Sequence, residues 1–286
     1  MRLFLLTVMN GLTLAALYFL VASGFTLVFG LMRNVNLAHG SLFLLGAYVG
    51  YDVADLTQSW FLGVAAGFLS MAALGVLLQV GIFRRMEGQD LRQTLVTIGL
   101  SIVLADLMLA VWGGKTYQFD PPGWLYGATK LPLVRAYPTY RLVLLATAIV
   151  IGIGLWLFLN RTRIGMMIRA GVDDRGMLSA TGVNVQLVFA TTFAIGAGLA
   201  GLAGVVGGTA LSIAPGEDTR YLLASLVVVI VGGMGSVTGA AIGALLIGLA
   251  EQLGLAYSPT YGVVYTFVIM VLVLAVRPQG LMGRPA

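Results

Sequence analysis

The sequence contains no cysteine, which excludes disulfide bonds and metal sites built from thiolates. It contains a single histidine, and charged residues make up only 9% of its 286 residues. A soluble domain carries about a quarter charged residues, so this chain lacks the charge that a water-exposed surface requires. Hydrophobic residues make up 59% of the chain instead. The composition predicts a polytopic membrane protein, and the net charge of +5 reflects loop arginines rather than nucleic-acid binding.

Apolar runs extend over the whole chain and predict an all-α polytopic membrane fold, with residues 1–286 forming a single transmembrane domain. A bilayer core of about 30 Å needs about 20 apolar residues per helix, so we expect about eight hydrophobic blocks and eight to ten passes. Two of these blocks are too long for one straight pass. The N-terminal run resembles a signal peptide, but further membrane segments follow at once, so we predict a retained first helix. The blocks cover residues 3–31, 37–51, 60–83, 91–112, 142–159, 185–206, 222–249 and 263–276.

Arginines set the predicted sidedness. The connection RRMEGQDLR carries three arginines, and the segment over residues 160–184 carries four. Short basic connections stay on the cytoplasmic side, so both are predicted to lie inside. The connection over residues 113–140 is then an outer loop, whose tryptophan and tyrosines favour the membrane interface. It contains Gly114-Lys115-Thr116, but Leu109 stands where a phosphate loop requires its first glycine and no strand precedes it, so we reject a nucleotide site.

Residues 160–184 cannot lie in lipid. One arginine at the bilayer centre costs about 3 kcal/mol, and this segment carries four. Its apolar residues recur at helical spacing, which favours folded structure over a linker. The segment is therefore predicted to be a cytoplasmic hairpin, and the open alternative is an ordinary solvated basic loop.

A short helix is predicted inside this segment. Asp173 is a plausible N-cap for a helix over residues 174–181, and Gly182 stands at the C′ position. One exposed face of that helix predicts a docked partner. The side chains on that face are Met177, Leu178 and Thr181.

Two polar interruptions divide the apolar runs. The first covers residues 33–41 and contains an arginine, two asparagines, the only histidine and a glycine. The second, over residues 232–236, is rich in glycine. Two interrupted segments, one in each half of the chain, indicate a possible two-repeat transporter whose pathway lies at the breaks. The stretches FGLMRNVNLAHGSLFLLGAY and VGGMGSVTGAAIGALLIGLA show only weak similarity, and the first break also fits a plain turn at the membrane surface.

Asp106 is the acidic residue that stands out inside an apolar run, SIVLADLMLA. An ionisable residue at membrane depth is by default a functional candidate. The alternative is that its carboxylate reaches water or a polar neighbour near the outer end of its helix.

Five dispersed stretches together resemble a known family. NLAHGSLFLLGAY, TIGLSIVL, RTRIGMMIRAGVDDRGMLSATGVN, VGGMGSVTGAAIGALLIGLAE and RPQGLMG are similar to the permease subunits of branched-chain amino acid importers of the ABC type, and closer to the shorter of the two paired permeases. The resemblance implies a multi-pass subunit of the bacterial inner membrane. Its partners would be a second homologous permease, two cytoplasmic ATPases, a solute-binding protein and the lipid bilayer. No catalytic residue, metal or cofactor is expected in this chain, since the partner subunits would bind the ATP.

The resemblance also implies two sets of site residues. Residues 160–184 would be the cytoplasmic segment that couples the chain to an ATPase, and the two breaks would line the translocation pathway. Asp106 is a departure, because an uncharged residue is expected there. The coupling set is Arg161, Gly165, Arg169, Ala170, Asp174, Met177, Leu178, Ala180 and Gly182. The pathway set is Asn36, His39, Gly40, Ser41, Asp106, Gly232, Gly233, Gly235 and Ser236.

Other functions stay open from the sequence. Related permeases carry branched-chain or other amino acids, urea or short amides. An ion-coupled secondary transporter would need acidic residues at membrane depth, for which Asp106 is the candidate. An intramembrane hydrolase would use His39 with Ser41 or Ser23, but no nucleophile motif or metal cluster accompanies them.

Overall fold

The computed structural model describes residues 2–32, 35–130 and 136–283. Apolar segments fold as helices because lipid offers no hydrogen-bond partner to backbone N–H and C=O groups, so each segment must satisfy them internally. Two short strands, β1 (Ala128–Thr129) and β2 (Tyr137–Pro138), pair antiparallel in the outer connection. The α-helices are α1 (Arg2–Met32), α2 (His39–Thr57), α3 (Trp60–Gly81), α4 (Asp90–Trp112), α5 (Thr139–Arg161), α6 (Arg163–Asp173), α7 (Arg175–Ala180), α8 (Val185–Leu211), α9 (Glu217–Gly232), α10 (Val237–Tyr257) and α11 (Gly262–Val276).

Within the described residues, six helices are long and apolar enough to cross a membrane, namely α1, α3, α4, α5, α8 and α10. The all-α polytopic prediction is confirmed. The run over residues 3–31, predicted to be too long for one pass, is the single helix α1. The run over residues 222–249 is divided between the end of α9 and α10.

The basic connections gather at one end of the helix bundle. The Arg175 guanidinium donates to the carbonyl of Leu31 at the end of α1. The Gln186 amide at the start of α8 donates to the Glu87 carboxylate at 2.8 Å, which brings the α3–α4 connection to the same end. Short basic connections stay in the cytoplasm, so the charge distribution predicts that this end is the inner one.

The opposite end carries the outer connection. The backbones of Tyr117 and Ile213 exchange hydrogen bonds of 2.9 and 2.8 Å, which joins this connection to the end of α8. The Tyr137 hydroxyl lies 2.6 Å from the hydroxyl of Thr13 in the first turns of α1. The beginning of α1 therefore lies at the outer end, and α1 runs inward.

Helix α2 begins near the middle of the membrane. The His39 imidazole lies 3.1 Å from the Val21 carbonyl, which is in the interior of α1, and α1 continues for three more turns to Met32. Helix α9 begins at the same depth, since the Asp218 carboxylate accepts from Ser41 at 3.1 Å. From this level α2 runs outward and α9 runs inward to the turn after Gly232.

The packing repeats with inverted direction. Helix α1 packs along α10 as α3 packs along α8, and α2 packs against α3 and α8 as α9 packs against α10 and α1. Helices α1–α4 therefore correspond to α8–α11, and the counterpart of α2 is α9. The weak similarity between FGLMRNVNLAHGSLFLLGAY and VGGMGSVTGAAIGALLIGLA would instead pair α2 with α10, and that pairing is wrong. The stretches that correspond are LAHG at residues 37–40 and IAPG at residues 213–216.

Glycines allow α2, α3 and α8 to touch at the backbone. A Cβ atom at Gly201 would lie 2.1 Å from the Gly67 carbonyl oxygen, and one at Gly46 would lie 2.3 Å from the Gly201 Cα. Small residues at these points permit van der Waals contact between backbones, which stabilises helix association in lipid.

We expect Gly201→Val to destabilise the folded permease, because the new side chain cannot fit against α3. Overpacking of this kind costs about 1–3 kcal/mol. Gly154→Val is the matched control, since a Cβ atom there meets nothing within 4 Å. Thermal unfolding of the two detergent-purified variants tests this, and equal melting temperatures would contradict it.

Candidate functional site

Polar side chains hold the chain where it enters α2. The Asn36 Oδ1 atom accepts from the Ala38 amide at 3.1 Å, and the Leu37 amide donates to Thr97 Oγ1 at 3.1 Å. These bonds satisfy backbone that has no helical partner, which is required at membrane depth. Thr97 is on α4, so this segment is fixed to α4 as well as to α1.

Ser41 joins three helices at the centre of the membrane. Its hydroxyl lies 2.9 Å from the hydroxyl of Ser101 on α4 and donates to the Asp218 carboxylate on α9. Ser41 and Asp218 are both buried. A Cβ atom on the neighbouring Gly40 would lie 2.1 Å from the Asp218 carbonyl oxygen, so the two helix starts are in backbone contact. We call Gly40, Ser41, Ser101 and Asp218 the central junction.

His39 anchors α2 to α1. Its imidazole is fully buried, with one nitrogen on the Val21 carbonyl and the ring edge against Phe25 at 5.3 Å between centroids. The hydroxyl of Ser41 bonds within the central junction, and that of Ser23 bonds to the Leu20 carbonyl. In the described part of the chain neither hydroxyl therefore forms the contact with His39 that an intramembrane hydrolase would need.

An ion pair lies at mid-membrane depth on the face of α9 that points away from the helix bundle. The Glu217 carboxylate and the Arg220 guanidinium are 3.5 Å apart, and the Arg220 side chain is 57% exposed. Its neighbour Tyr221 packs against Phe43 of α2, with ring centroids 4.3 Å apart. An arginine exposed to lipid at mid-membrane costs about 3 kcal/mol or more, so this face must contact water or protein.

Asp106 lies on an exposed face of α4. The buried stripe of α4 consists of Gln93, Thr97, Leu104 and Met108, and Asp106 is outside it. It lies nearer the outer end of α4 than Ser101 of the central junction. The structure thus keeps Asp106 at membrane depth but separates it from the junction.

The glycine-rich break lies elsewhere than predicted. Gly232, Gly233, Gly235 and Ser236 form the inner turn between α9 and α10, where the Ser236 hydroxyl caps α10 by accepting from the Gly239 amide at 3.0 Å. The break at mid-depth is instead the segment over residues 212–216 before α9. The structure therefore brings Asn36, His39, Gly40 and Ser41 to the membrane centre but places the four glycine-turn residues at its inner surface.

The predicted cytoplasmic hairpin consists of α6 and α7. The Thr162 hydroxyl caps α6 by accepting from the Gly165 amide at 3.0 Å. A Cβ atom at Gly165 would lie 2.1 Å from the Phe158 carbonyl oxygen, so this tight return from α5 requires glycine. The Arg169 guanidinium donates to the Asn160 side chain at 2.8 Å and fixes the angle of the return.

Helix α7 forms close to its predicted position, with two corrections. Its N-cap is Asp174, whose carboxylate accepts from the Met177 amide at 3.0 Å, whereas Asp173 belongs to α6. Met177 is 68% exposed as predicted, but Leu178 is buried, since it packs back on α6 at Gly171. The other predicted coupling residues on the exposed surface are Arg161, Arg169, Ala170, Ala180 and Gly182.

A cavity of about 390 Å³ opens at the outer end between the α2–α3 turn and the outer connection. Its walls are acidic and aromatic, and include Asp55, Trp60, Asp120 and Tyr126. The Tyr126 hydroxyl donates to the Asp120 carboxylate at 2.8 Å, and this hydrogen bond raises the pKa of Tyr126.

Several residues of the site were missed by the sequence reasoning. Ser101, Asp218, Glu217 and Arg220 are all at mid-depth in the structure. The signal for α9 was the run GEDTR, which places three charged residues directly before a long apolar run. It resembles an ordinary loop at a helix end unless the depth of that end is known.

Comparison with known proteins gives a consistent result. The family model described as branched-chain amino acid transport system, permease component, matches residues 7–275. The chain is 32% identical to the high-affinity branched-chain amino acid transport system permease protein LivH of Salmonella typhimurium, over 99% of this chain and 96% of that protein. It is 30% identical to the corresponding permease BraD of Pseudomonas aeruginosa with the same coverage, and 28% identical to the ribose import permease protein RbsC of Escherichia coli over 82% and 73%. No solved structure matches the chain.

Proposed function

The chain belongs to the family of permease components of branched-chain amino acid transport systems, and we propose that it carries branched-chain amino acids inward as one half of a paired permease. It is a multi-pass protein of the bacterial inner membrane and a permease subunit of an ABC importer. The observation that carries the proposal is the family match, which spans residues 7–275 rather than one motif.

The proposed pathway follows the face of α9. An arginine exposed at mid-membrane requires water or a protein neighbour. A second permease opposite this face would be that neighbour, and the pathway between the two permeases would hold water. The central junction behind it fixes where α2 and α9 begin. Solute would pass between the two permeases at this level, where polar side chains and helix starts replace some of its hydration.

Energy enters from the cytoplasmic hairpin. Helix α7 presents Met177 to the cytoplasm, and Arg175 ties the same helix to the end of α1 and lies over the Phe189 ring of α8 at 4.9 Å. An ATPase bound to α7 would therefore move α1 and α8 with it. Helix α1 packs against α9, and α8 packs against α2. Binding of ATP would shift the pathway between its states through the difference in affinity of the ATPases for those states.

The outer cavity is the proposed docking site for a solute-binding protein. Its acidic and aromatic walls suit a basic side chain of that protein. The cavity adjoins the outer end of α2, so a docked protein would sit directly above the pathway.

We expect the tagged chain, expressed with the products of its neighbouring genes, to co-purify with a second permease and two ATPases. Leucine-loaded binding protein should stimulate ATP hydrolysis by the complex several-fold over empty binding protein, because only the loaded form favours the transporting state. Urea and acetamide serve as the contrasting solutes. Recovery of the chain alone, without an ATPase, would contradict the proposal.

A further inference from the structure

The ion pair of α9 is exposed at mid-membrane depth, where contact of its charges with lipid would be costly. The Glu217 and Arg220 side chains are 34% and 57% exposed. Two contacts fix their depth, because Asp218, which follows Glu217, bonds to Ser41 of the central junction and Tyr221 packs against Phe43 of α2. Arg220 also lies within electrostatic range of Tyr18, which is half way along α1.

A stabilising role does not account for this pair. An exposed ion pair within one helix contributes little to stability, because both charges remain solvated and both side chains lose entropy. The neighbouring acids have other partners, since Asp218 accepts a hydrogen bond from Ser41 and the buried Glu251 accepts one of 2.7 Å from the Tyr18 hydroxyl. Both charges of the exposed pair therefore remain available to a molecule in the pathway.

We propose that Glu217 and Arg220 form a transient binding site for the zwitterionic backbone of an amino acid. Arg220 binds the α-carboxylate, for which a guanidinium offers a planar pair of donors, and Glu217 binds the α-ammonium group. Opposite charges 3.5 Å apart match a ligand whose own two charges are separated by one carbon atom. The site rests on the proposed function and deepens it, since it assigns solute recognition to the permease itself.

The neighbouring residues suit the rest of such a ligand. Leu223 lies one turn further along the same exposed face of α9 and is 48% exposed. A branched aliphatic side chain can pack on Leu223 while the charged end of the solute contacts Arg220.

The test measures binding to the whole complex in nanodiscs without binding protein. The probes are L-leucine, leucinamide, which lacks the carboxylate, and 4-methylpentanoate, which lacks the ammonium group. Saturation-transfer NMR titrations compare the unmodified complex with Arg220→Gln and Glu217→Gln. Lys115→Gln in the outer connection is the control for loss of one charge.

The unmodified complex should bind L-leucine at least tenfold more tightly than either analogue. Arg220→Gln should weaken L-leucine binding at least tenfold but change leucinamide binding less than twofold, because leucinamide has no carboxylate to lose contact with. Glu217→Gln should show the mirror pattern with 4-methylpentanoate. A structural role would weaken all three probes alike and would overturn the inference.

Two further outcomes would also overturn it. One is unchanged L-leucine binding in both variants. The other is loss of the second permease from the Arg220→Gln complex, which would show that Arg220 pairs with that subunit. Stimulation of ATP hydrolysis by leucine-loaded binding protein is measured on the same unmodified preparation, so the proposed function can stand while the binding site fails.

Discussion

The variant Met177→Asp is expected to lose the ATPases while the permease remains folded. Met177 is the exposed large apolar side chain of α7, and burial of its side chain against an ATPase groove would be replaced by burial of a carboxylate. An unpaired buried charge is among the most costly changes an interface can undergo. We expect at least a tenfold loss of co-purified ATPase and no stimulated ATP hydrolysis.

Two neighbouring positions make this result specific. Ser179 is exposed on the same helix but about 200° away around it, so Ser179→Asp adds the same charge on another face and should retain the ATPases. Leu178→Asp buries its charge inside the hairpin and should lower the thermal stability of the permease itself. Normal ATPase recovery with Met177→Asp would show that α7 is not the docking helix.

The variant Gly40→Val is expected to abolish uptake without preventing membrane insertion. A Cβ atom at Gly40 would lie 2.1 Å from the Asp218 carbonyl oxygen and 2.8 Å from the Leu222 side chain, so valine must force α9 away from α2. This separation breaks the hydrogen bond from Ser41 to Asp218 and moves the exposed ion pair of α9.

The uptake of labelled leucine by proteoliposomes containing the complete transporter should fall more than tenfold in Gly40→Val. Gly99→Val on α4 is the matched control, because a Cβ atom there meets nothing within 4 Å. Uptake by Gly40→Val within twofold of the unmodified protein would mean that contact between the two helix starts is not needed for transport.

The elements governed by local chemistry could be predicted from the sequence. Helix length follows from bilayer thickness, and the arginine-rich connections lie at one end of the bundle, as the positive-inside rule requires. The position of α7 was close because an acidic cap and Gly182 mark its ends. The burial of Leu178 could not be predicted in this way, because it depends on the angle at which α6 returns from α5.

Depth within the membrane was the property that the sequence did not reveal. The turn over residues 232–236 is conspicuous by composition, yet it lies at the inner surface. The segment over residues 212–216 is less conspicuous, but α8 is long enough to reach the outer end, so the chain must return into the membrane before α9 begins. Asp218 and Arg220 became candidates only once that return was visible.

The most direct test of the account is the energy source for uptake in proteoliposomes. Vesicles containing both permeases and the ATPases, with leucine-loaded binding protein on the outer side of the transporter, should accumulate labelled leucine when ATP reaches the ATPases. An imposed proton or sodium gradient without ATP should produce no accumulation above that of empty vesicles. Gradient-driven accumulation without ATPases would contradict the account and would identify an ion-coupled transporter, with Asp106 as the first residue to replace.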